Sequence, residues 1–178
     1  MKIVLTGFMA TGKTSTGKVL AQKLNLDFYD TDALIEERAG RSIPEIFSKE
    51  GEPSFRALEK EVIAEVADKD NVVIATGGGA VMDLENRARL KKNGILIALM
   101  ASSEEVKKRI ERSSPCRPLL SGKDKERAIK ELLKERLPVY RQSDICIDTT
   151  GKSSEEVAQE IIKELSQRRA LTVNRKRK

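Results

Sequence analysis

The sequence predicts a three-layer α/β/α protein, in which helices cover both faces of a five-stranded parallel sheet. Five short β-rich stretches alternate with helical ones, and glycine-rich or polar clusters follow the first three strands. This alternation favours parallel strands, because each crossover helix can then pack on the sheet. Ligands bind at the carboxyl ends of the strands in such sheets, so we expect the clusters to meet in one site.

Each predicted element has a local signal. Short apolar runs bounded by glycine or polar residues predict strands at residues 2–6, 27–30, 71–75, 95–100 and 145–148. Apolar residues at helical spacing and acidic first turns predict helices at residues 13–24, 31–39, 43–50, 52–67, 84–93, 104–112, 124–136 and from about 153 to 166. Pro138 is expected to stop the seventh of these helices.

Composition narrows the class of protein. The 178 residues fit one domain at residues 1–166, and the absence of histidine excludes histidine-based catalysis. Cys116 and Cys146 are too few for a zinc site or a disulfide framework, which favours free thiols in a reducing compartment. Neither a signal-peptide pattern nor a membrane-spanning apolar run is present, so a cytoplasmic protein without a membrane partner is expected.

The net charge of +6 is concentrated at residues 167–178, which contain six basic residues and no acidic one. The rest of the chain is balanced, with 28 basic and 28 acidic residues. A nucleic-acid-binding protein more often spreads basic residues over its folded surface and adds aromatic residues for stacking, and aromatic residues are only 3% here. We therefore expect no nucleic-acid partner, and a disordered, solvated tail.

The strongest motif is GFMATGKT at residues 7–14, which matches G-x-x-x-x-G-K-[ST] between a predicted strand and a helix. Gly7 and Gly12 let backbone N–H groups turn toward phosphates, and Lys13 supplies a cation for the β and γ oxygens. The Thr14 hydroxyl suits Mg²⁺, and the following helix directs its positive end at the phosphates. The motif predicts a nucleotide phosphate site.

Three weaker signals follow the motif. Asp30 and Asp32 could hold Mg²⁺ through water or accept a proton from an attacking hydroxyl, although Asp32 could instead cap a helix. Arg56 and Glu59 lie three residues apart, as a surface ion pair or as part of a site. The three glycines at 77–79 follow a buried strand, as expected where backbone approaches a ligand.

Two further arginines lie near proline-containing segments. Arg117 begins Arg-Pro-Leu-Leu within residues 113–123, which we predict to be a mobile lid. Arg136 precedes Pro138-Val139-Tyr140, and it is either a solvated helix end or an anion clamp.

These motifs together resemble the shikimate kinase family, from residue 2 to about residue 166. The resemblance implies a P-loop kinase fold similar to that of nucleoside monophosphate kinases, with a lid at about 113–123 and a substrate-binding region at about 32–61. It also implies transfer of the γ-phosphate of ATP to the 3-hydroxyl of shikimate, with Mg²⁺, in aromatic amino-acid biosynthesis. Ala10 departs from the glycine usual in the family, and we expect it to be tolerated if its φ is negative.

The motifs and the resemblance assign roles to individual residues. Lys13, Asp32 and Arg117 are the predicted catalytic residues, and Thr14 and Asp30 are the predicted metal site. The residues predicted to bind ATP are Gly7, Ala10, Thr11, Gly12, Lys13, Thr14, Ser15, Arg109 and Arg117, with Arg109 facing adenine. Those predicted to bind shikimate are Asp32, Arg56, Gly77, Gly78, Gly79 and Arg136, the two arginines holding its carboxylate.

Two other hypotheses stay open. One is a kinase of the same scaffold for another hydroxylated acid, such as gluconate. The pair Arg56 and Arg136 with Asp32 favours shikimate over it, because it offers two cations for one carboxylate and an acceptor for a diol. The other is a nucleotide-binding switch or nucleic-acid module, for which the balanced charge of residues 1–166 is atypical. We expect a monomer.

Overall fold

The computed structural model describes residues 1–112, 119 and 124–175. Five strands form one sheet in the order β2-β3-β1-β4-β5, and every pairing is parallel. The predicted α/β/α fold is therefore confirmed. The strands are β1 (Lys2–Gly7), β2 (Asp27–Asp30), β3 (Val72–Ala75), β4 (Gly94–Met100) and β5 (Ile145–Asp148).

Helices cover both faces of this sheet, because alternate residues of the buried strands point to opposite sides. On one face, Ile3 and Leu5 of β1 share a core with α1 and α7. On the other, Val4 shares a core with α3, α4 and α6. The helices are α1 (Lys13–Leu24), α2 (Thr31–Ala39), α3 (Ile43–Ala67), α4 (Leu84–Lys91), α5 (Ser103–Arg112), α6 (Lys125–Tyr140) and α7 (Ser154–Arg175).

Helix α3 is bent at Gly51, whose φ of 82° and ψ of 173° interrupt the helical backbone. The two helices predicted at 43–50 and 52–67 correspond to its two arms. Phe47 on the first arm contacts Phe55 on the second, with ring centroids 4.9 Å apart. The bend lets α3 pack on α2 and still direct Arg56 toward the carboxyl edge of the sheet.

Two helix ends differ from the prediction. Helix α6 continues through Pro138 to Tyr140; because only two residues follow the proline, the missing N–H and the steric effect of its ring are confined to the last turn. Helix α7 continues to Arg175 instead of ending near residue 166, so the tail is helical to that point rather than disordered. The sequence QRRALTVNR of residues 167–175 includes several strong helix formers, which the emphasis on its charge overlooked.

Parts of the prediction lie outside the described residues, namely Arg117, Cys116 and all of the lid at 113–123 except residue 119. Within the described ranges, no helix combines the length and the apolar character needed to cross a membrane. Cys146 is a free, exposed thiol.

Candidate active site

Three adjoining pockets follow the carboxyl edge of the sheet, where the sequence predicted a site. The Arg109 pocket, of about 620 Å³, lies on the outer side of the phosphate loop, whose residues form one of its walls. The Lys13 pocket, of about 440 Å³, is lined by the loop itself together with Asp30 and Asp32. The Arg136 pocket, of about 480 Å³, lies under α3 and shares Asp32 with the Lys13 pocket. A ligand in the Arg109 pocket and a second ligand in the Arg136 pocket could therefore meet in the Lys13 pocket between them.

The phosphate loop has the conformation that its glycines predict. Gly7 has a φ of 135°, and a Cβ there would lie 2.2 Å from the Leu99 carbonyl oxygen. Gly12 has a φ of 90° and caps the start of α1. Lys13 Nζ donates to the carbonyl oxygens of Gly7 at 3.0 Å and Phe8 at 2.8 Å. The ammonium group thus lies across the mouth of the loop, where it can meet phosphate oxygens.

Ala10 has a φ of 61°, so the condition under which alanine was expected to be tolerated, a negative φ, is not met. An alanine in this left-handed region carries a steric cost of roughly 1–2 kcal/mol that glycine does not. The carbonyl oxygen of Ala10 accepts a hydrogen bond from Arg109 at 3.3 Å, which helps to hold this turn.

Thr14 and Asp30 form the candidate metal site. The Thr14 hydroxyl donates to Asp30 Oδ2 at 2.6 Å. Asp30 Oδ1 accepts from the backbone N–H of Asp32 at 3.0 Å and caps α2. Asp30, not Asp32, is therefore the helix cap, and Asp32 is free for another task. An exposed hydroxyl beside a carboxylate fits Mg²⁺, which takes few protein oxygens and keeps several waters.

Asp32 lies where the Lys13 and Arg136 pockets meet. Its Oδ1 is buried and has no hydrogen-bond partner among the described residues. A Cβ on Gly77 would lie 2.6 Å from this oxygen, so glycine is required for the close approach. Burial, and then the charge of Asp30, raises the pKa of Asp32 to about 6, while Lys13 opposes the shift. Such a carboxylate is suited to accept a proton near neutral pH.

Arg136 is only 6% exposed, which excludes the solvated helix end. Within the described residues, no carboxylate oxygen lies within 4 Å of its guanidinium. The undescribed residues cannot supply an acidic side chain, because they contain neither Asp nor Glu. A buried cation without a close counter-ion is unfavourable, so this pocket is suited to an anion from outside the chain.

Arg56 differs from Arg136 in having acidic partners. Its Nη1 donates to Glu59 at 2.8 Å, and its Nε and Nη2 donate to Glu52 at 3.1 and 2.9 Å. Glu59 is buried, so this is not the simple surface pair that the spacing allowed. A Cβ on Gly79 would lie 2.7 Å from the Arg56 nitrogens. The glycine therefore leaves room for the guanidinium at the pocket wall.

The Arg109 pocket contains residues that sequence reasoning missed. Arg109 Nη2 donates to the Thr149 carbonyl oxygen at 2.6 Å, and Nη1 donates to the Thr149 hydroxyl at 3.1 Å. Its Nε pairs with Glu105 at 2.7 Å. Gly151 and Lys152 complete the wall. Their signal was their place after β5, at the same strand edge that located the other clusters.

The Arg136 pocket also has an apolar side that no motif announced. Met9 comes from the phosphate loop, and Ile43, Pro44, Phe47 and Phe55 come from the two arms of α3. A ligand here meets apolar groups on one side and charged groups on the other. Such a mixture is typical of sites for small organic molecules.

Comparison with known proteins agrees with this geometry. The family model "Shikimate kinase" matches residues 9–166. A shikimate kinase from Thermodesulfovibrio yellowstonii is 51% identical over 91% of this chain and 93% of the relative, and one from Caldanaerobacter subterraneus is 49% identical over 90% and 94%.

Solved structures give the same family. A shikimate kinase from Acinetobacter baumannii, solved in complex with shikimate, superposes with a TM-score of 0.90 and 38% identity, over 94% of this chain and 93% of that one. A gluconokinase from Sinorhizobium meliloti, with a TM-score of 0.58 and 15% identity over 93% and 91%, shares the fold alone. The chain belongs to the shikimate kinase family.

Proposed function

We propose that this chain transfers the γ-phosphate of ATP to the 3-hydroxyl of shikimate, giving shikimate 3-phosphate and ADP in the pathway to chorismate and the aromatic amino acids. The observation that carries the proposal is the buried Arg136, which has no carboxylate within 4 Å among the described residues and lines one pocket with Asp32. A small hydroxylated acid supplies both an anion for the arginine and a hydroxyl for the aspartate.

In this proposal the carboxylate of shikimate is bound mainly by Arg136, and Arg56 adds a second, weaker contact. Arg136 supplies a buried charge, and a bidentate contact between guanidinium and carboxylate is strong and directional. Arg56 has five N–H groups, of which three donate to Glu52 and Glu59. The others remain to contact the substrate near Gly79. The glycines at 77–79 supply backbone at the same wall.

Asp32 orients the attacking hydroxyl and accepts its proton. With a pKa of about 6, this carboxylate is largely ionised at pH 7 and yet basic enough to take the proton. The hydroxyl oxygen forms the new bond to phosphorus, the bond from phosphorus to the β–γ bridging oxygen breaks, and ADP leaves. Lys13 stabilises charge on the transferring group.

The nucleotide contacts run from the Lys13 pocket to the Arg109 pocket. Backbone N–H groups of the phosphate loop bind the phosphates, and Arg109 faces adenine. Thr14 and Asp30 hold Mg²⁺ in this proposal. An ion held there would supply positive charge beside the phosphates. Arg117 stays a predicted contact to the phosphates, because it lies outside the described residues.

The test is ADP formation from ATP with a panel of shikimate, gluconate and nucleoside monophosphates. Of the acceptors in this panel, we expect ATP-dependent turnover of shikimate only. Most of this turnover should be lost when Arg136 is replaced by alanine. Turnover of gluconate by the wild type at a similar or higher kcat/KM would contradict the proposed substrate. We also propose that the protein is a cytoplasmic monomer, because its two cysteines favour a reducing compartment and the described residues of the proposed site come from one chain.

A further inference from the structure

Tyr140 makes a buried contact to which the proposed mechanism assigns no role. This side chain is only 1% exposed and lies at the last position of α6. Its hydroxyl donates to the Gly78 carbonyl oxygen at 2.5 Å, across 62 residues of chain. The bond therefore connects the end of α6 to the glycine wall of the Arg136 pocket.

The same hydroxyl adjoins Arg136. The two residues are four positions apart on α6, so their side chains share one face of the helix. The Arg136 guanidinium acts on the hydroxyl through its charge and a side-chain contact. Burial raises the pKa of Tyr140 to about 12, so the hydroxyl stays protonated and its donation to Gly78 persists at any working pH. The hydroxyl oxygen keeps lone pairs that can accept a hydrogen bond from the guanidinium, while its proton is donated to the Gly78 carbonyl.

The direction of the Gly78 carbonyl fixes the next N–H group. All described peptide bonds are trans, so the N–H of Gly79 points away from the carbonyl that Tyr140 binds. Within the described part of the chain, this N–H makes no hydrogen bond. Gly79 lines the Arg136 pocket. The tyrosine hydroxyl thus sets the orientation of a backbone donor as well as the surroundings of the buried arginine.

We propose that Tyr140 is a positioning residue for the substrate carboxylate, and that its hydroxyl holds the Arg136 guanidinium and the Gly78–Gly79 peptide in the arrangement that one carboxylate can bind. Tyr140 does not touch the substrate itself in this proposal. The inference rests on the proposed role of Arg136, and it adds a residue that acts through both sides of the pocket.

Tyr140→Phe removes the hydroxyl and keeps the ring. We expect KM and Kd for shikimate to rise about tenfold, which is the effect of losing one hydrogen bond beside a charged group. The KM for ATP and kcat are expected to stay within about twofold. The control is Tyr29→Phe, at the only other tyrosine of the chain, which lies under Lys69 and outside the Arg136 pocket. It is expected to change neither KM.

Two further measurements separate positioning from a purely structural role. Tyr140→4-aminophenylalanine keeps an N–H donor, and should recover most of the shikimate affinity. An analogue in which the carboxylate of shikimate is reduced to an alcohol should bind the wild type and Tyr140→Phe equally weakly, because the grip on the carboxylate is what the hydroxyl supports. Thermal unfolding of each variant accompanies the binding data.

The outcomes are distinct. Equal weakening of the binding of shikimate and of the alcohol analogue in Tyr140→Phe would overturn the proposal. So would an unchanged KM for shikimate in Tyr140→Phe when Arg136→Ala raises that KM. If Arg136→Ala also leaves shikimate binding unchanged, both the proposed function and this inference are contradicted. A failure of 4-aminophenylalanine to recover any affinity would equally contradict a role for the donated hydrogen bond.

Discussion

The Lys13 pocket and the Arg136 pocket adjoin each other but are built in opposite ways. The Lys13 pocket is formed mainly by one continuous segment, residues 9–18, and relies on backbone N–H groups and on exposed or half-buried side chains; Asp30, Asp32, Thr76 and Gly78 complete its lining. The Arg136 pocket is lined by six separate parts of the chain, namely Met9, residues 32–36, 42–59 and 77–79, Leu119 and Arg136, and it places charged side chains in the interior. A nucleotide site of the first kind can be read from a motif, whereas an acid site of the second kind exists only once the chain has folded.

The two pockets also differ in their electrostatics. Burial raises the pKa of Asp32 to about 6 and raises that of Glu59 despite its pairing with Arg56. Asp30, on the phosphate side, is instead hydrogen-bonded by the Thr14 hydroxyl and two backbone N–H groups. The Arg136 pocket therefore holds charges that the fold alone stabilises poorly. We expect its residues to serve substrate selection at some cost to stability.

The largest effect is expected at the phosphate side. Lys13→Ala should lower kcat by about 10³-fold, because phosphoryl transfer is catalysed mainly by positioning and charge stabilisation. The unfolding temperature should change little, since Lys13 is only half-buried. Steady-state kinetics with a thermal melt checks both. Lys18→Ala, at an exposed lysine lining the same pocket, is the matched control, and a comparable loss there would contradict a specific role for Lys13.

Asp32→Asn should lower kcat by about 10²-fold or more while ATP binding stays unchanged, because asparagine keeps the shape and loses the proton acceptor. The wild-type rate should fall as the pH drops below about 6, where Asp32 takes up a proton. The residual activity of the variant should lack that decline. A pH–rate profile of both proteins checks this, and an identical acidic limb in the variant would contradict the assignment.

The same carboxylate should influence stability in the opposite sense. The folded state holds the Asp32 proton more tightly than the unfolded chain, whose pKa is near 3.8. Its contribution to the free energy of unfolding therefore falls as the pH rises from about 4 to about 6. Without ligands, Asp32→Asn should unfold at least about 2 °C higher than the wild type at pH 7, and this gain should disappear near pH 4. Thermal melts at the two pH values check the sign.

Substitution of the two arginines of the Arg136 pocket should raise the KM for shikimate to different extents. Arg136→Ala should raise the KM for shikimate by about 30-fold or more, as expected when a buried charge partner of a ligand is lost. Arg56→Ala should raise the KM for shikimate less, because the Arg56 guanidinium is already paired with Glu52 and Glu59. Lysine should restore little at either position, since it cannot form the bidentate contact. Arg89→Ala on α4 is the surface control, and a larger effect at Arg56 than at Arg136 would reverse the ranking.

The smallest effect concerns the phosphate loop. Ala10→Gly should raise the unfolding temperature by about 1–3 °C, because glycine adopts a φ of 61° without the steric cost of alanine. The control is Ala88→Gly, at an exposed position inside α4, where glycine should lower stability by about 1 kcal/mol. A lower unfolding temperature for Ala10→Gly would show that the left-handed alanine is not strained.

Sequence reasoning recovered most of the fold and the phosphate loop, since a motif of consecutive residues and the strand–helix alternation are local properties. The residues alone left Arg136 undecided between a solvated helix end and an anion clamp, and only the family resemblance assigned it to the substrate, because its burial depends on how α6 packs against the glycines at 77–79. It missed Thr149 and its neighbours, which form no motif and line a pocket only because β5 lies at the edge of the sheet. The left-handed φ of Ala10 could not be read from an alanine.

The most direct test of the contrast between the pockets is calorimetric titration of single ligands into Lys13→Ala and Arg136→Ala. We predict that Arg136→Ala binds Mg·ADP as the wild type does and binds shikimate about 30-fold or more weakly. Lys13→Ala should retain wild-type affinity for shikimate and lose affinity for the nucleotide. Loss of both ligands in both folded variants, or retained shikimate affinity in Arg136→Ala, would contradict the division into two separately built pockets.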